Sequence, residues 1–441
     1  MNLLAYNVLL HTIVGPFLAI YYLPRILFRG KYRRSLAGKL GRLPEGFVPE
    51  RLTRPRLWFH AVSVGEAVAL GPVVRRMKEL MPGASIIVST GTETGQDKAQ
   101  YSIPEADGLL YLPLDFPACV NKVVDAIRPD LFVLMETELW PNLIHRLKER
   151  GAVIALANGR ISDRSFPRYR RLRRLFGPIL GGMDLLLMGS ELDAVRITEM
   201  GAPSDRVHVT GNTKFDAALG QVPYDAEKQV REVLDLDSSA QVLVAGSTHP
   251  GENEVVLDAY RELSKRFPEL ILIVVPRHVE KTETIVAAMR HRGMEPAFLR
   301  SRYEEGERRN GRKVVIIDRT GELFRIYSVA SVVFVGGSLV PHGGQNILEP
   351  AAWGKIVLFG PSMEDFREAR DILVSAGAGI QISDAQQLAA QVARILEASQ
   401  RWDDQGQRGR TEILKHVGSA DRTARLLADL LAARLRGIPS D

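Results

Sequence analysis

Residues 331 to 355 read SVVFVGGSLVPHGGQNILEPAAWGK. An apolar run of β-branched and aromatic residues, Val332 to Val335, passes directly into glycines and then into helix formers opened by Asn346. A short run without polar alternation, bounded by turn residues, is the pattern of a strand buried on both faces, and a helix after it makes the unit of a parallel sheet. The same unit recurs on both sides, at QVLVAGS (241–247), ILIVVPR (271–277), KVVIID (313–318) and IVLFG (356–360). An earlier series starts near Arg56, with LWFHAVSV (57–64), ASIIVST (84–90), LFVLM (131–135), AVIALAN (152–158) and LLLMG (185–189). Between the two series, HVTGNTKFDAALGQVPYDAEKQ (208–229) is rich in polar and turn-forming residues and places a linker at about 211–225. The expected fold is α/β, with two Rossmann-like, doubly wound domains at 45–215 and 216–441 facing a central cleft. Ligands of such sheets bind outside the carboxyl ends of the strands.

A chain of 441 residues exceeds one ordinary core and fits two domains. Hydrophobic residues make up 45% and charged residues 25%, the balance of a folded enzyme. Cys119 is the single cysteine, which excludes an intramolecular disulfide framework and any zinc site built from several thiolates. The net charge of +6 suits phosphorylated ligands or an anionic membrane without pointing to nucleic acid.

Residues 3 to 23, LLAYNVLLHTIVGPFLAIYYL, carry no charge and have about the length a helix needs to cross a bilayer. Arg25, Arg29, Lys31, Arg33, Arg34, Lys39 and Arg42 follow, and no basic segment precedes the apolar run. Residues 1–44 are therefore expected to be a single uncleaved anchor with its basic flank, which leaves the rest of the chain in the cytoplasm. Asn7, His11, Gly15 and Pro16 interrupt the run and keep open a helix that lies in the interface or packs on the body.

Several strand ends carry polar residues. Glu66, in SVGEAVAL, opens a helix after the first strand and is a candidate general base, although an acid in a first turn also complements the helix dipole. Glu136 and Glu138 in ETELWPN (136–142) can orient an acceptor or stabilise charge, while Thr137 with these acids can also cap a helix. Arg168, Arg170, Arg171, Arg173 and Arg174, set among aromatic and leucine residues, suit acceptor phosphates or anionic headgroups, or a solvated helix face. In the second series, Gly246, Ser247 and Thr248 lie between a strand and a helix, where backbone N–H groups can cradle phosphate. Pro276 and Arg277 follow another strand, and Arg277 can hold a phosphate through paired charged hydrogen bonds. His249 and His278 are minor candidates. Asn346 can open a helix toward phosphate, and Glu349 can accept from both hydroxyls of a ribose. No Walker motif, GxGxxG after a strand or HExxH occurs, and Asp235 to Asp237 reads as a helix end rather than a metal site.

In order, SVGE, ETELWPN, NGRIS, GNTKFD, GSTHPGE, PRH, GEL and GGQNILEP resemble the 3-deoxy-D-manno-octulosonic acid (Kdo) transferases of lipopolysaccharide synthesis, from the anchor to the C-terminal region. The resemblance implies a GT-B glycosyltransferase fold, cytidine monophosphate (CMP)-activated Kdo as donor, and the lipid A precursor (lipid IVA) as acceptor. It also implies inverting transfer without a metal or other cofactor at the cytoplasmic face of a bacterial inner membrane. Glu66 would then take the acceptor proton, with Glu136 and Lys214 supporting the transition state. CMP would lie against Pro276 and Arg277, Gly321, Glu322 and Leu323, and Asn346, Ile347, Leu348 and Glu349. Gln345 departs from the histidine expected in relatives, and a neutral amide cannot become a cation. Two other functions share these features: a nucleotide-sugar epimerase of the same two-lobed fold, and a non-catalytic, membrane-bound nucleotide-binding protein.

Overall fold

Strands form where the apolar runs stand. In a computed structural model that describes residues 3–29, 32–220 and 225–437, the first series gives β1 (Arg56–Ala61), β2 (Ser85–Thr90), β3 (Gly108–Tyr111), β4 (Leu131–Met135), β5 (Val153–Gly159), β6 (Leu185–Met188) and β7 (Val207–Val209). The second gives β8 (Val242–Thr248), β9 (Ile271–Pro276), β10 (Phe298–Leu299), β11 (Val314–Ile316), β12 (Val332–Val335), β13 (Val357–Phe359) and β14 (Gly379–Gln381). Every pairing is parallel, in two seven-stranded sheets ordered β3-β2-β1-β4-β5-β6-β7 and β10-β11-β9-β8-β12-β13-β14. In each, the chain starts mid-sheet, winds to one edge and returns to wind the other way. The reversal falls between β1 and β4 in the first sheet and between β8 and β12 in the second, where the carboxyl ends of a doubly wound sheet open a crevice. Four residues of the expected linker, 221–224, and Lys31 of the basic flank lie outside the described residues.

The chain divides into two compact units: one holds the residues up to Ala217 together with the segment from Val417, the other Ala218–His416. The sequence reading placed everything after residue 215 in the second domain, whereas the last helix, Ser419–Leu435, packs in the first unit. Ala420, Ala424, Leu427 and Leu431 recur at helical spacing and join one buried core with Leu70, Val74 and Met77 of helix Val64–Leu80 and with side chains of the first sheet such as Leu57 and Phe59. The opposite face of the first sheet is covered by a separate core that includes Trp58, Phe132, Leu143 and Leu147.

The apolar N-terminal run is helical over Leu3–Leu9 and Gly15–Arg29, joined by a π-helical turn at Leu10–Val14. Residues Leu3–Tyr22 have the length and composition to cross a membrane, with mean hydropathy 1.8. Leu4, Val8, Ile13, Phe17 and Ile20 are exposed, while Tyr6 and Asn7 hydrogen-bond to the first unit.

Candidate active site

The first unit gathers its polar residues at the β1/β4 reversal. Ser63 caps helix Val64–Leu80, and its hydroxyl accepts the Glu66 N–H at 3.4 Å. The Glu66 carboxylate folds back, accepting the Val62 N–H at 2.8 Å and the Ser63 hydroxyl at 2.9 Å. These bonds complete a variant of the capping box and fix the carboxylate just past β1. Glu66 is 8% exposed. Burial first, and then the negative charge of Glu136, raise its carboxyl from an ordinary 4.5 to about 7, against the opposing pull of the Val62 and Ser63 bonds. A carboxylate so placed is half ionised near neutral pH, as a base for a sugar hydroxyl should be.

Glu136 follows β4 with φ +55°, a left-handed conformation rare outside glycine and costing of order 1–2 kcal/mol. Its oxygen Oε1 lies 2.9 Å from Lys214 Nζ, an ion pair that lacks the alignment of a hydrogen bond. Burial and the neighbouring Glu136 charge also raise the Glu138 carboxyl. Thr137 donates its hydroxyl to the Arg160 carbonyl, so it ties this loop to the one after β5 and does not cap the following helix, as the sequence allowed. Asn158, also left-handed at φ +53°, accepts the Thr213 N–H at 3.0 Å. ETELWPN, NGRIS and GNTKFD are thereby stitched together around Glu136 and Lys214. The C-terminal helix secures the last of them: Arg422 donates to the Thr210 carbonyl at 3.0 Å, and Asp216 accepts the Gly418 N–H at 2.8 Å.

Arg168, Arg170, Arg171, Arg173 and Arg174 fall on two short helices, Phe166–Arg171 and Arg173–Leu180, and all five are exposed. Arg170 reaches Glu199 at 3.6 Å, a loose surface pair worth little.

The second unit repeats the arrangement at the β8/β12 reversal. Ser247 sits at φ +53° at the end of β8, and Thr248 beside it is buried. The residue that organises this crevice is Glu252, which is fully buried. It accepts the N–H groups of His249 (2.9 Å), Gly337 (2.7 Å), Ser338 (2.9 Å) and Leu339 (2.9 Å), and so holds the loop after β12 against the loop after β8. Only glycine fits at 336, where a Cβ would come within 2.6 Å of the Ser247 carbonyl and 2.7 Å of Glu252. Pro276 ends β9, and Arg277, exposed, donates its N–H to the Thr248 carbonyl at 3.0 Å. Asn346 accepts the Leu348 N–H and donates to Glu349, each at 3.1 Å. The helix it opens, Leu348–Ala352, is only five residues long, so its dipole is smaller than the sequence suggested. Ile347 and Leu348 are core side chains and can offer a ligand only backbone. Gly321, Glu322 and Leu323 begin helix Leu323–Ile326, with Glu322 accepting from Arg300 at 3.0 Å. Trp353 donates to the Phe324 carbonyl at 2.8 Å, joining this loop to the Asn346 helix.

Glu252 and Tyr327 were not singled out from sequence. Glu252 falls in the quoted string GSTHPGE and reads as a first-turn acid. Tyr327, wholly buried, stands against Gly246 and raises its phenol well above the usual range through burial and the charge of Glu349. His342 joins His249 and His278, with ring centroids 4.5 Å and 5.9 Å from that of His249. No group of three or more His, Cys, Asp or Glu placed to hold a metal ion occurs among the described residues.

Two Rossmann-like units, each with polar residues at the point where its strand order reverses, define a GT-B-type architecture of glycosyltransferases and related sugar-nucleotide enzymes. A glycosyltransferase structure from Rickettsia africae shares the fold at 13% identity, with a TM-score of 0.56 over 85% of this chain and 98% of that one. The family model described as 3-deoxy-D-manno-octulosonic-acid transferase matches residues 34–217. The 3-deoxy-D-manno-octulosonic acid transferase of Haemophilus influenzae is 31% identical over 91% of this chain and 92% of its own. That of Chlamydia pneumoniae is 33% identical over 92% of each. The chain belongs to the Kdo transferase family and is a glycosyltransferase.

Proposed function

We propose that the enzyme transfers Kdo from CMP-Kdo to the lipid A precursor, lipid IVA, at the cytoplasmic face of the inner membrane. The carrying observation is Glu66: a buried, doubly anchored carboxyl raised to about 7 beside the Glu136–Lys214 ion pair. In this reading an acceptor hydroxyl gives its proton to Glu66 as its oxygen attacks the anomeric carbon of Kdo. The bond from that carbon to the phosphate oxygen breaks, CMP leaves with the electron pair, and the configuration inverts. Lys214, which Glu136 holds in place, is read as the group that supports charge in the transition state, and Arg277 is read as a partner of the donor's phosphate. The second unit binds the nucleotide through Ser247, Thr248, Pro276, Arg277, the Gly321–Leu323 turn and the Asn346–Glu349 segment.

Membrane attachment follows from the exposed apolar side of the N-terminal helix together with Arg168 to Arg174, which suit a surface of anionic headgroups. The hydrogen bonds of Tyr6 and Asn7 to the first unit favour a helix lying in the interface over one that crosses it. The reaction is read as metal-independent. Purified enzyme incubated with CMP-Kdo and lipid IVA, with and without EDTA, should yield Kdo-bearing lipid by mass spectrometry in both cases. Donor consumption without a lipid product would refute the assignment, and loss of product with EDTA would refute metal independence.

A further inference from the structure

Tyr6 and Asn7 are unsuited to contact with lipid hydrocarbon, and both are engaged elsewhere. The Tyr6 hydroxyl donates to Asp115 Oδ2 at 2.9 Å, and the side-chain amide of Asn142 donates to Asn7 Oδ1 at 2.7 Å. Asp115 is 3% exposed. Its carboxylate also accepts the N–H groups of Asn142 at 3.0 Å and Leu143 at 2.9 Å, in the first turn of helix Pro141–Glu149. The N-cap of that helix, Trp140, supplies no side-chain acceptor, so Asp115 does this for amides 27 and 28 residues away in sequence. Next to Asp115, Phe116 meets the ring of His11 at a steep angle of 79°, with centroids 5.1 Å apart, and Gly15 lets the N-terminal helix close on the Phe116 ring.

The helix that Asp115 fixes begins directly after ETELW, the loop that carries Glu136 and Glu138. We propose that the N-terminal helix is more than a tether: Tyr6 and Asn7, acting through Asp115 and Asn142, are positioning residues that hold Glu136 and Glu138 beside Glu66. The inference rests on the catalytic reading above. It makes the apolar helix a part of the acceptor-side machinery, so that undocking it lowers turnover even where no bilayer is present.

The test uses the full chain in detergent micelles with lipid IVA and CMP-Kdo, so that tethering contributes nothing. The double variant Tyr6→Phe/Asn7→Ala removes both hydrogen bonds and leaves Leu4, Val8, Ile13, Phe17 and Ile20 intact. Its kcat should fall at least tenfold, with the KM for CMP-Kdo within twofold and vesicle binding unchanged. Hydrogen exchange at the Asn142 and Leu143 amides should accelerate at least tenfold. A kcat within twofold of the parent overturns the proposal, whatever the exchange shows. Glu66→Gln in the same assay separates the two levels: normal transfer by that variant sinks the catalytic reading and this inference with it. Its inactivity alongside a fully active double variant sinks this inference alone.

Discussion

Replacing Glu66 with glutamine separates a catalytic base from a helix cap through stability as well as rate. The folded protein raises this carboxyl from 4.5 to about 7, so it holds the proton more tightly than the unfolded chain does. The associated stability is fully present below about 4.5 and is lost as pH rises through about 7. At about 1.4 kcal/mol per tenfold change in proton affinity, roughly 3 kcal/mol disappears between pH 4 and pH 8. Glutamine carries no charge at either pH and can keep both contacts, its oxygen accepting the Val62 N–H and its amide donating to the Ser63 oxygen. Urea unfolding followed by circular dichroism should therefore show Glu66→Gln near the parent at pH 5 and about 1–3 kcal/mol more stable at pH 8. Transfer should fall by about 10²–10⁴-fold, and the parent's kcat should rise with pH through an apparent value near 7. If the carboxylate served only as a cap, the variant would lose about 0.5–2 kcal/mol at both pH values and keep its activity. Either result refutes the reasoning.

Lys214→Met leaves Glu136 without its ion-pair partner; transfer should drop about 100-fold, and the acid limb of the rate profile should move to higher pH as the unneutralised Glu136 charge raises Glu66 further. Glu252→Gln halves the accepting oxygens that serve four backbone N–H groups, at about 1–3 kcal/mol for each group left unpaired. CMP binding by calorimetry should weaken at least tenfold. Leu427→Ala should destabilise the first unit by about 2–5 kcal/mol in chemical denaturation and leave CMP affinity unchanged, since that helix belongs to the first unit. Changing Arg168, Arg170 and Arg171 together to glutamine should weaken binding to anionic vesicles by about 1 kcal/mol per charge, with no change for neutral vesicles.

All ten strands read from apolar runs are present, and the four that were not read are β3, β7, β10 and β14, the two edges of each sheet. Interior parallel strands are covered on both faces and need continuous apolar sequence, whereas an edge strand is partly open and two to four residues long here. The return of the C-terminal helix to the first unit was missed for a different reason. Its stripe of Ala420, Ala424, Leu427 and Leu431 shows that one face is buried but carries no information about which sheet buries it. The polar interruptions of the N-terminal run were visible, but their partners, Asp115 and Asn142, lie more than 100 residues away.

The acids at the strand ends show the same limit. Glu66 and Glu252 both stand in the first turn of a helix, and both fold back onto neighbouring backbone N–H groups. Local sequence makes them equivalent. What separates them is the neighbourhood: Glu252 receives three further N–H groups from the loop after β12, so its oxygens are taken up in holding two loops together. Glu66 receives one N–H and one hydroxyl and faces the negative charge of Glu136, and burial dominates its proton affinity. Capping and the proposed role as base are therefore compatible in Glu66. The bonds to Val62 and Ser63 set where the carboxylate points, while burial and the Glu136 charge outweigh those two donors and raise its carboxyl to about 7.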